Sequence, residues 1–402
     1  MTIPVVTHAT AKSVPTGVWA LGFVSLFMDA SSELVHSLMP LFLIGTLGAS
    51  ALMVGLISGL AEAVVSVTKL FSGGLSDWLG RRKPLILFGY GLAALTKLIL
   101  PLAPTVGWVF AAHVVDRFGK GVRGAPRDAL VADITPPELR GTAYGLRQSI
   151  DTVGAFLGPL LAVLFMALFD DDIRAVFWIA AIPAMISVVI ILGFVRDAER
   201  PIANAKPKLH WRDAKRLKPA FWLLLGVASV FTLARFSEAF LVLRASDSGM
   251  SATFVPLVMV VMSLAYALSS YPAGVLSDCL SRTRIFAIGV ALLIAADGML
   301  ALSGSNVTLV LLGTALWGLH MGFTQGLLAA MIADRAPEDL RGTAFGLFNL
   351  AIGLVTLPAS LIAGLLWEQI APWASFTASA VFAMLTLMLL PLLGARADKA
   401  NT

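Results

Sequence analysis

The groups in this chain best suited to chemistry are acids, bases and histidines set inside long apolar runs. Asp29, Glu33 and His36 stand at i, i+4 and i+7, so a helix puts them on one face. Burial and a like charge one turn away both favour a protonated carboxyl. Asp29 and Glu33 are therefore expected to share a proton near neutral pH, as a proton-coupling site requires. A static pairing with a basic neighbour is the structural alternative. The three residues also offer oxygen and nitrogen donors of the kind zinc, nickel or cobalt accepts. The cationic stretch that follows argues against a metal: His113, Asp116, Arg117, Lys120, Arg123 and Arg127 crowd one segment, the first four on one broad face. Arg147 and Asp151 (i, i+4) and Arg235 and Glu238 (i, i+3) can each neutralise one another. Asp151, the deeper of its pair, joins Asp29 and Glu33 as a coupling candidate. Glu62, Lys69, Lys97 and Asp297 are ionisable groups with no role assigned.

These side chains are held by membrane segments. Of 402 residues, 58% are hydrophobic and 13% charged, and the mean hydropathy is +0.87; a soluble fold of this size could not cover its surface. Twelve apolar segments, each near the ~20 residues that cross a bilayer, are predicted at 17–44, 50–72, 84–103, 106–127, 138–168, 173–195, 219–243, 251–274, 284–303, 306–331, 341–367 and 371–394. The stretch Arg196–Lys218 carries eight basic residues against Asp197, Glu199 and Asp213. The positive-inside rule makes it cytoplasmic, and an even count puts both termini on its side. Arg81, Arg82, Lys83, Arg140, Arg282, Arg284, Arg335, Arg341, Arg396 and Lys399 then fall inside, with Asp170, Asp171, Asp172, Asp247 and Glu368 outside. The predicted division is a tail (1–16, lacking the pattern of a cleaved signal), a six-helix bundle (17–195), a basic linker (196–218), a second bundle (219–394) and a tail (395–402). Cys279 stands alone and allows no intrachain disulfide. The net charge of +5 is confined to short loops and does not mark a nucleic-acid partner. No phosphate loop or His-rich cluster is present, so neither ATP-driven pumping nor an enzyme is expected, and no cofactor.

The halves repeat. Gly73-Gly74-Leu75-Ser76-Asp77 runs on to Gly80-Arg81-Arg82-Lys83, and Gly274-Val275-Leu276-Ser277-Asp278 to Ser281-Arg282-Thr283-Arg284. Asp77 and Asp278 lie 201 positions apart (278 − 77). Leu139-Arg140-Gly141-Thr142-Ala143-Tyr144-Gly145 returns at the same spacing as Leu340-Arg341-Gly342-Thr343-Ala344-Phe345-Gly346. Parallel repeats of this kind place a transport path at their interface and work by rocking one bundle against the other. The charges of the fourth segment are not repeated: adding 201 to Asp116 and Arg117 gives Trp317 and Gly318. Ionic chemistry is therefore assigned to the first half. Trp317, His320, Phe323 and Gln325, with Asn349 as a donor, are assigned to the cavity surface of the second.

Over nearly its whole length the chain resembles the major facilitator superfamily. Its signature loop is matched by Gly73, Leu75, Ser76, Asp77, Gly80, Arg81 and Arg82, with a decayed copy around Asp278 and Arg282. The resemblance implies an all-α fold of two six-helix bundles and a conformational latch at these loops, with Arg123 and Arg127 pairing to Asp77. Arg117 matches the family's fourth-helix arginine, linked to substrate or proton. Gly154-x-x-x-Gly158-Pro159 is similar to the motif of antiporters, though small-x-x-x-small also serves close packing. The expectation is proton-coupled transport of a small organic solute by a monomer in the inner membrane, with export by antiport favoured. Uptake of an anionic metabolite or metal chelate through Arg117, Lys120 and Arg235 is the alternative, and divalent-metal export a third.

Overall fold

The computed structural model describes residues 14–197, 211–337 and 340–398; the side chains of 211–213, 278–279 and 394–398 fall outside the description. Most of the N-terminal tail, the middle of the basic linker, the end of the C-terminal tail and the Asp278 carboxylate therefore lie outside the described residues.

Those residues form helices throughout. In lipid each backbone polar group must find its partner within the segment, and a helix supplies them all. The first bundle holds α1 (Thr16–Leu41, running into a wider turn at Phe42–Thr46), α2 (Ala51–Leu79), α3 (Lys83–Ile99), α4 (Val106–Ile134), α5 (Arg140–Leu168) and α6 (Ile173–Phe194). The second holds α7 (Pro219–Ala234) and α8 (Ala239–Asp247), which are two halves of one crossing. It continues with α9 (Leu257–Cys279), α10 (Arg282–Leu302), α11 (Val307–Arg335), α12 (Arg341–Gln369) and α13 (Pro372–Asp398). Eleven spans are long and apolar enough to cross a membrane. The twelfth crossing is α4, whose 29 residues reach about 43 Å at 1.5 Å each and whose charges set it apart from the apolar spans.

Polar side chains set the helix starts: Ser50, Thr105, Asp172 and Asn306 accept first-turn N–H groups of α2, α4, α6 and α11. Gly80, at φ +64°, ends α2 in the left-handed conformation that glycine adopts without strain. This corrects the expected signature loop. Gly73 to Leu79 are the last turns of α2, with Gly73 facing Ala125 of α4, and the loop itself is only Gly80 to Arg82.

Small residues let the helices meet backbone to backbone. A Cβ on Gly158 of α5 would stand 2.7 Å from Glu33 Cβ of α1, and one on Gly154 would overlap the backbone of Leu26. Gly154, Gly158 and the adjacent Pro159 thus seat α5 on the helix that carries Asp29 and Glu33. Gly158→Leu is expected to cost at least about 1–3 kcal/mol and to lower the melting temperature in detergent. Gly145→Ala on the same helix, where a Cβ meets nothing within 4 Å, should not lower it, since alanine is the better helix former by up to about 1 kcal/mol. A similar approach joins the bundles, where Gly55 and Gly59 of α2 meet Ser360 and Leu357 of α12, and Gly353 and Gly364 of α12 meet Ser66 and Leu52 of α2.

At the end remote from the termini the bundles share one apolar core, in which Leu38, Phe42 and Ile57 pack with Phe240, Val255 and Ala363. Two hydrogen bonds close this end: Thr253 Oγ1 donates to Asp171 (2.7 Å) and the Leu52 N–H to Glu368 (3.3 Å). Toward the termini the first bundle keeps a core of its own, built on Leu21, Val24, Tyr90 and Leu130.

Candidate functional site

A cavity of about 340 Å³ lies between the bundles. The first bundle supplies Glu33 and His36 from α1, Ser58 and Glu62 from α2, and His113, Arg117 and Lys120 from α4. The second supplies Thr232, Arg235, Phe236, Ser237 and Glu238 from the end of α7 and the break after it, with Ile352 and Thr356 from α12. Three carboxyl groups face two arginines and a lysine, with two histidines in the same lining.

The break is what brings the second bundle's charges to this surface. No proline or glycine marks it, and serines satisfy the backbone it frees. Ser379 of α13 donates to Ala234 O (2.5 Å), Ser360 of α12 accepts the Ser237 N–H (3.2 Å), and Ser237 Oγ accepts the Ala239 N–H (3.2 Å). Arg235 and Glu238 consequently leave the helical i, i+3 register and stand as separate lining groups rather than as a helix-surface ion pair. The expected aromatic and polar face of α11 is displaced behind them. Trp317 and His320 are buried, with Trp317 against Phe236 (ring centres 5.4 Å) and His320 against Phe231 (6.5 Å). Gln325 accepts from Tyr266 (3.2 Å), Phe323 packs on the core, and Asn349 is exposed and off the cavity wall.

In the first bundle the ionic groups sort into one pair within α1 and three clusters. Glu33 pairs with His36 on its own helix (3.5 Å), whereas Asp29 lies within hydrogen-bonding reach of Asp151 on α5. The close carboxyl pair expected within α1 lies instead between α1 and α5, and Asp29, Glu33 and His36 do not converge as one metal-binding face. Around Asp151, Arg127 and Arg147 each approach to 3.9 Å, and Arg127 also donates to Ser25 (2.9 Å) and Tyr90 (3.3 Å). Deeper, Lys97 of α3 reaches Asp116 at 3.1 Å, and Arg117 Nε lies 3.1 Å from the other carboxylate oxygen. All three are buried. Lys97, to which the sequence assigned no role, is thus the counter-ion of the fourth-helix acid.

The third cluster is the latch. Arg82 is its hub: it pairs with Asp77 (2.5 Å) and Asp133 of α4 (3.3 Å) and donates to Ser76. Asp197, at the start of the linker, accepts the backbone N–H groups of Arg82 and Lys83 (2.8 and 2.7 Å), capping α3. Arg81 is exposed. The expected partners of Asp77 are elsewhere, since Arg127 reaches into the Asp151 cluster and Arg123 lies over the Tyr90 ring (4.3 Å). In the second copy Arg282 pairs with Asp334, the repeat equivalent of Asp133 (133 + 201). Its place corresponds to Arg81, one residue earlier than Arg82, because Ser281 replaces the turn-forming glycine and α10 starts at Arg282. Asp77→Asn should cost about 0–1 kcal/mol, as for an exposed pair, while Arg82→Ala, which breaks the contacts to Asp77, Asp133 and Ser76 together, should cost more, about 3 kcal/mol. Melting of the two variants in detergent checks the order.

The profile of the Major Facilitator Superfamily matches residues 21–243 and 236–401. The chain belongs to this superfamily. An uncharacterized MFS-type transporter of Methanocaldococcus jannaschii is 34% identical over 388 residues, covering 94% of this chain and 95% of its own. A solved POT family transporter in complex with 5-aminolevulinic acid superposes with a TM-score of 0.80 at 12% identity, over 96% of this chain and 97% of that one, a likeness of fold. Multidrug resistance protein MdtH of Photorhabdus laumondii is 30% identical over 165 residues, 41% of this chain and 40% of its own. As a facilitator, the protein is a multi-pass membrane protein that moves a small molecule by alternating access, and it is not an enzyme.

Three kinds of cavity residue escaped the sequence reading. Ser58, Thr232, Ser237 and Thr356 carry no signal, because single hydroxyls are common in membrane helices. Glu62 was visible as a charge but lacked a partner to place it. Phe236 needs the break, which no local residue type announces.

Proposed function

We propose that this facilitator couples proton movement to the passage of a small, polar, zwitterionic solute across the inner membrane. The observation that carries this reading is the cavity wall, in which Arg117 and Lys120 of one bundle and Arg235 of the other stand among Glu33, Glu62 and Glu238. A solute with both a carboxylate and an ammonium can replace the ionic contacts these groups otherwise make with one another. A purely anionic cargo would leave three carboxylates facing it, and desolvated like charges are costly. The aromatic ring of Phe236 offers an apolar contact to one side of such a solute.

Asp29 and Asp151 are the proposed coupling pair. Two carboxyls in contact on different helices can hold one proton between them, and Arg127, Arg147 and Lys120 surround them with compensating charge. Export by antiport is the proposed direction, supported by the similarity of part of the chain to MdtH. The stretch Gly154 to Pro159 contributes little to it, being occupied with packing. The protein is proposed to work as a monomer with both termini cytoplasmic.

The test is reconstitution into proteoliposomes with an imposed pH gradient, presenting amino acids and dipeptide-like zwitterions, monoanions and lipophilic cations in parallel. Zwitterion movement with matching internal pH change is the expected result. Movement of monoanions alone would sink the reading.

A further inference from the structure

Asp297 belongs to none of the clusters above. It lies on α10, fully buried in the second bundle, and among the described residues no cation faces it from α9, α11 or α13. Arg235 and His320, the ionisable groups buried in the same bundle, are not among the groups that act on it. Among the described residues its polar partner is Ser379 of α13, whose Oγ stands 2.5 Å from Asp297 Oδ2 and 2.5 Å from Ala234 O, the last carbonyl of α7. A serine hydroxyl carries one hydrogen, so it cannot donate to both oxygens. Two contacts of this length need a second hydrogen, and only the Asp297 carboxyl can bring it.

We propose that Asp297 is a second proton-binding site, separate from Asp29 and Asp151, that holds the broken crossing in its cavity-lining shape. With the proton bound, Asp297 donates to Ser379 and Ser379 donates to Ala234 O, so the chain of hydrogen bonds ends on the break. When the proton leaves, Ser379 turns its single hydrogen to the carboxylate and Ala234 O loses its donor. The freed carbonyl begins the unwound segment that presents Arg235, Phe236, Ser237 and Glu238 to the cavity. Proton occupancy at Asp297 thereby controls, from behind, the surface that the second bundle offers to the solute. The repeat equivalent of Asp297 is Thr96 (297 − 201), which donates within its own helix to Ala93 O, so the device belongs to one half only.

The test reads the proton and the backbone directly and needs no substrate. Infrared spectra of the full-length protein in lipid should contain a buried carboxylic-acid carbonyl band that Asp297→Asn removes. Hydrogen exchange of the peptide spanning Arg235 to Ala239, corrected for intrinsic rates, should quicken in the unmutated protein between mildly acidic and alkaline pH. The expected factor is roughly fivefold, as for one net hydrogen bond. Asp297→Asn, whose amide can donate to Ser379 in place of the acid, should keep slow exchange at both pH values, and Ser379→Ala should exchange fast at both. The absence of an acid band missing from Asp297→Asn overturns the proposal, including the case where a sodium ion takes the proton's place. The same pH response in all three proteins, or equal loosening by the two substitutions, overturns it as well. Where Ser379→Ala does not fold, the infrared band and the Asp297→Asn exchange profile decide. Transport failing with zwitterions would leave these readouts untouched.

Discussion

Replacing Asp116 with asparagine is expected to destabilise this protein more than any other loss of one charge in the first bundle. The carboxylate stands between Lys97 and Arg117, each 3.1 Å away, with all three side chains buried. Taking it away leaves two cations facing each other out of water, and breaking a buried pair from one side costs about 3–5 kcal/mol. Lys97→Met removes one cation and leaves Asp116 balanced by Arg117, so it should cost less. The double variant should recover part of the Asp116→Asn loss, which is the signature of direct coupling. Thermal unfolding of the four purified proteins in one detergent measures the cycle. Additive losses would show that Lys97 and Asp116 do not act on one another.

The largest functional loss is expected at the pair formed by Asp29 and Asp151. One proton exchanged per solute lets a pH difference of one unit support about a tenfold solute gradient, the ratio that about 1.4 kcal/mol maintains. Asp29→Asn and Asp151→Asn each keep the side-chain shape while removing an exchangeable proton. Each should reduce that tenfold accumulation to equilibration, with exchange of labelled against unlabelled solute persisting. Glu33→Gln should retain accumulation, because Glu33 is engaged with His36 and lines the cavity; its defect should lie in affinity. Gradient-driven accumulation in either aspartate variant, at equal protein levels, removes the pair from coupling.

Crossings and their ends were legible because apolar length, loop charge and the 201-residue repeat are long-range signals that agree. Partners were not. The i, i+4 rule paired Asp29 with Glu33 along one helix, but Gly154 and Gly158 bring α5 close enough for Asp151 to meet Asp29 first. Reading glycines as sites of helix approach would have pointed there. Lys97 was given no role, yet a buried cation needs a counter-charge wherever it lies, and Asp116 stood on the adjoining helix. The unwound segment after Ala234 left no trace at all in local residue types. Its supports are serines more than a hundred positions away, on α12 and α13.

The glycine contacts between α2 and α12 also set the shape of any motion. They run from Leu52 and Gly364 at one end to Leu70 and Gly346 at the other, whereas α5 and α9, on the opposite edge, meet over a short stretch only. Two bodies stitched along one edge and touching lightly along the other turn like the covers of a book. Displacement then grows with distance from the spine, so the same few degrees of rotation that barely shift α12 against α2 act on α5 and α9 through the longest lever arm the protein offers. The cavity would be entered from the fore-edge, and a solute bound near Glu62, beside the spine, would be the last to feel the opening.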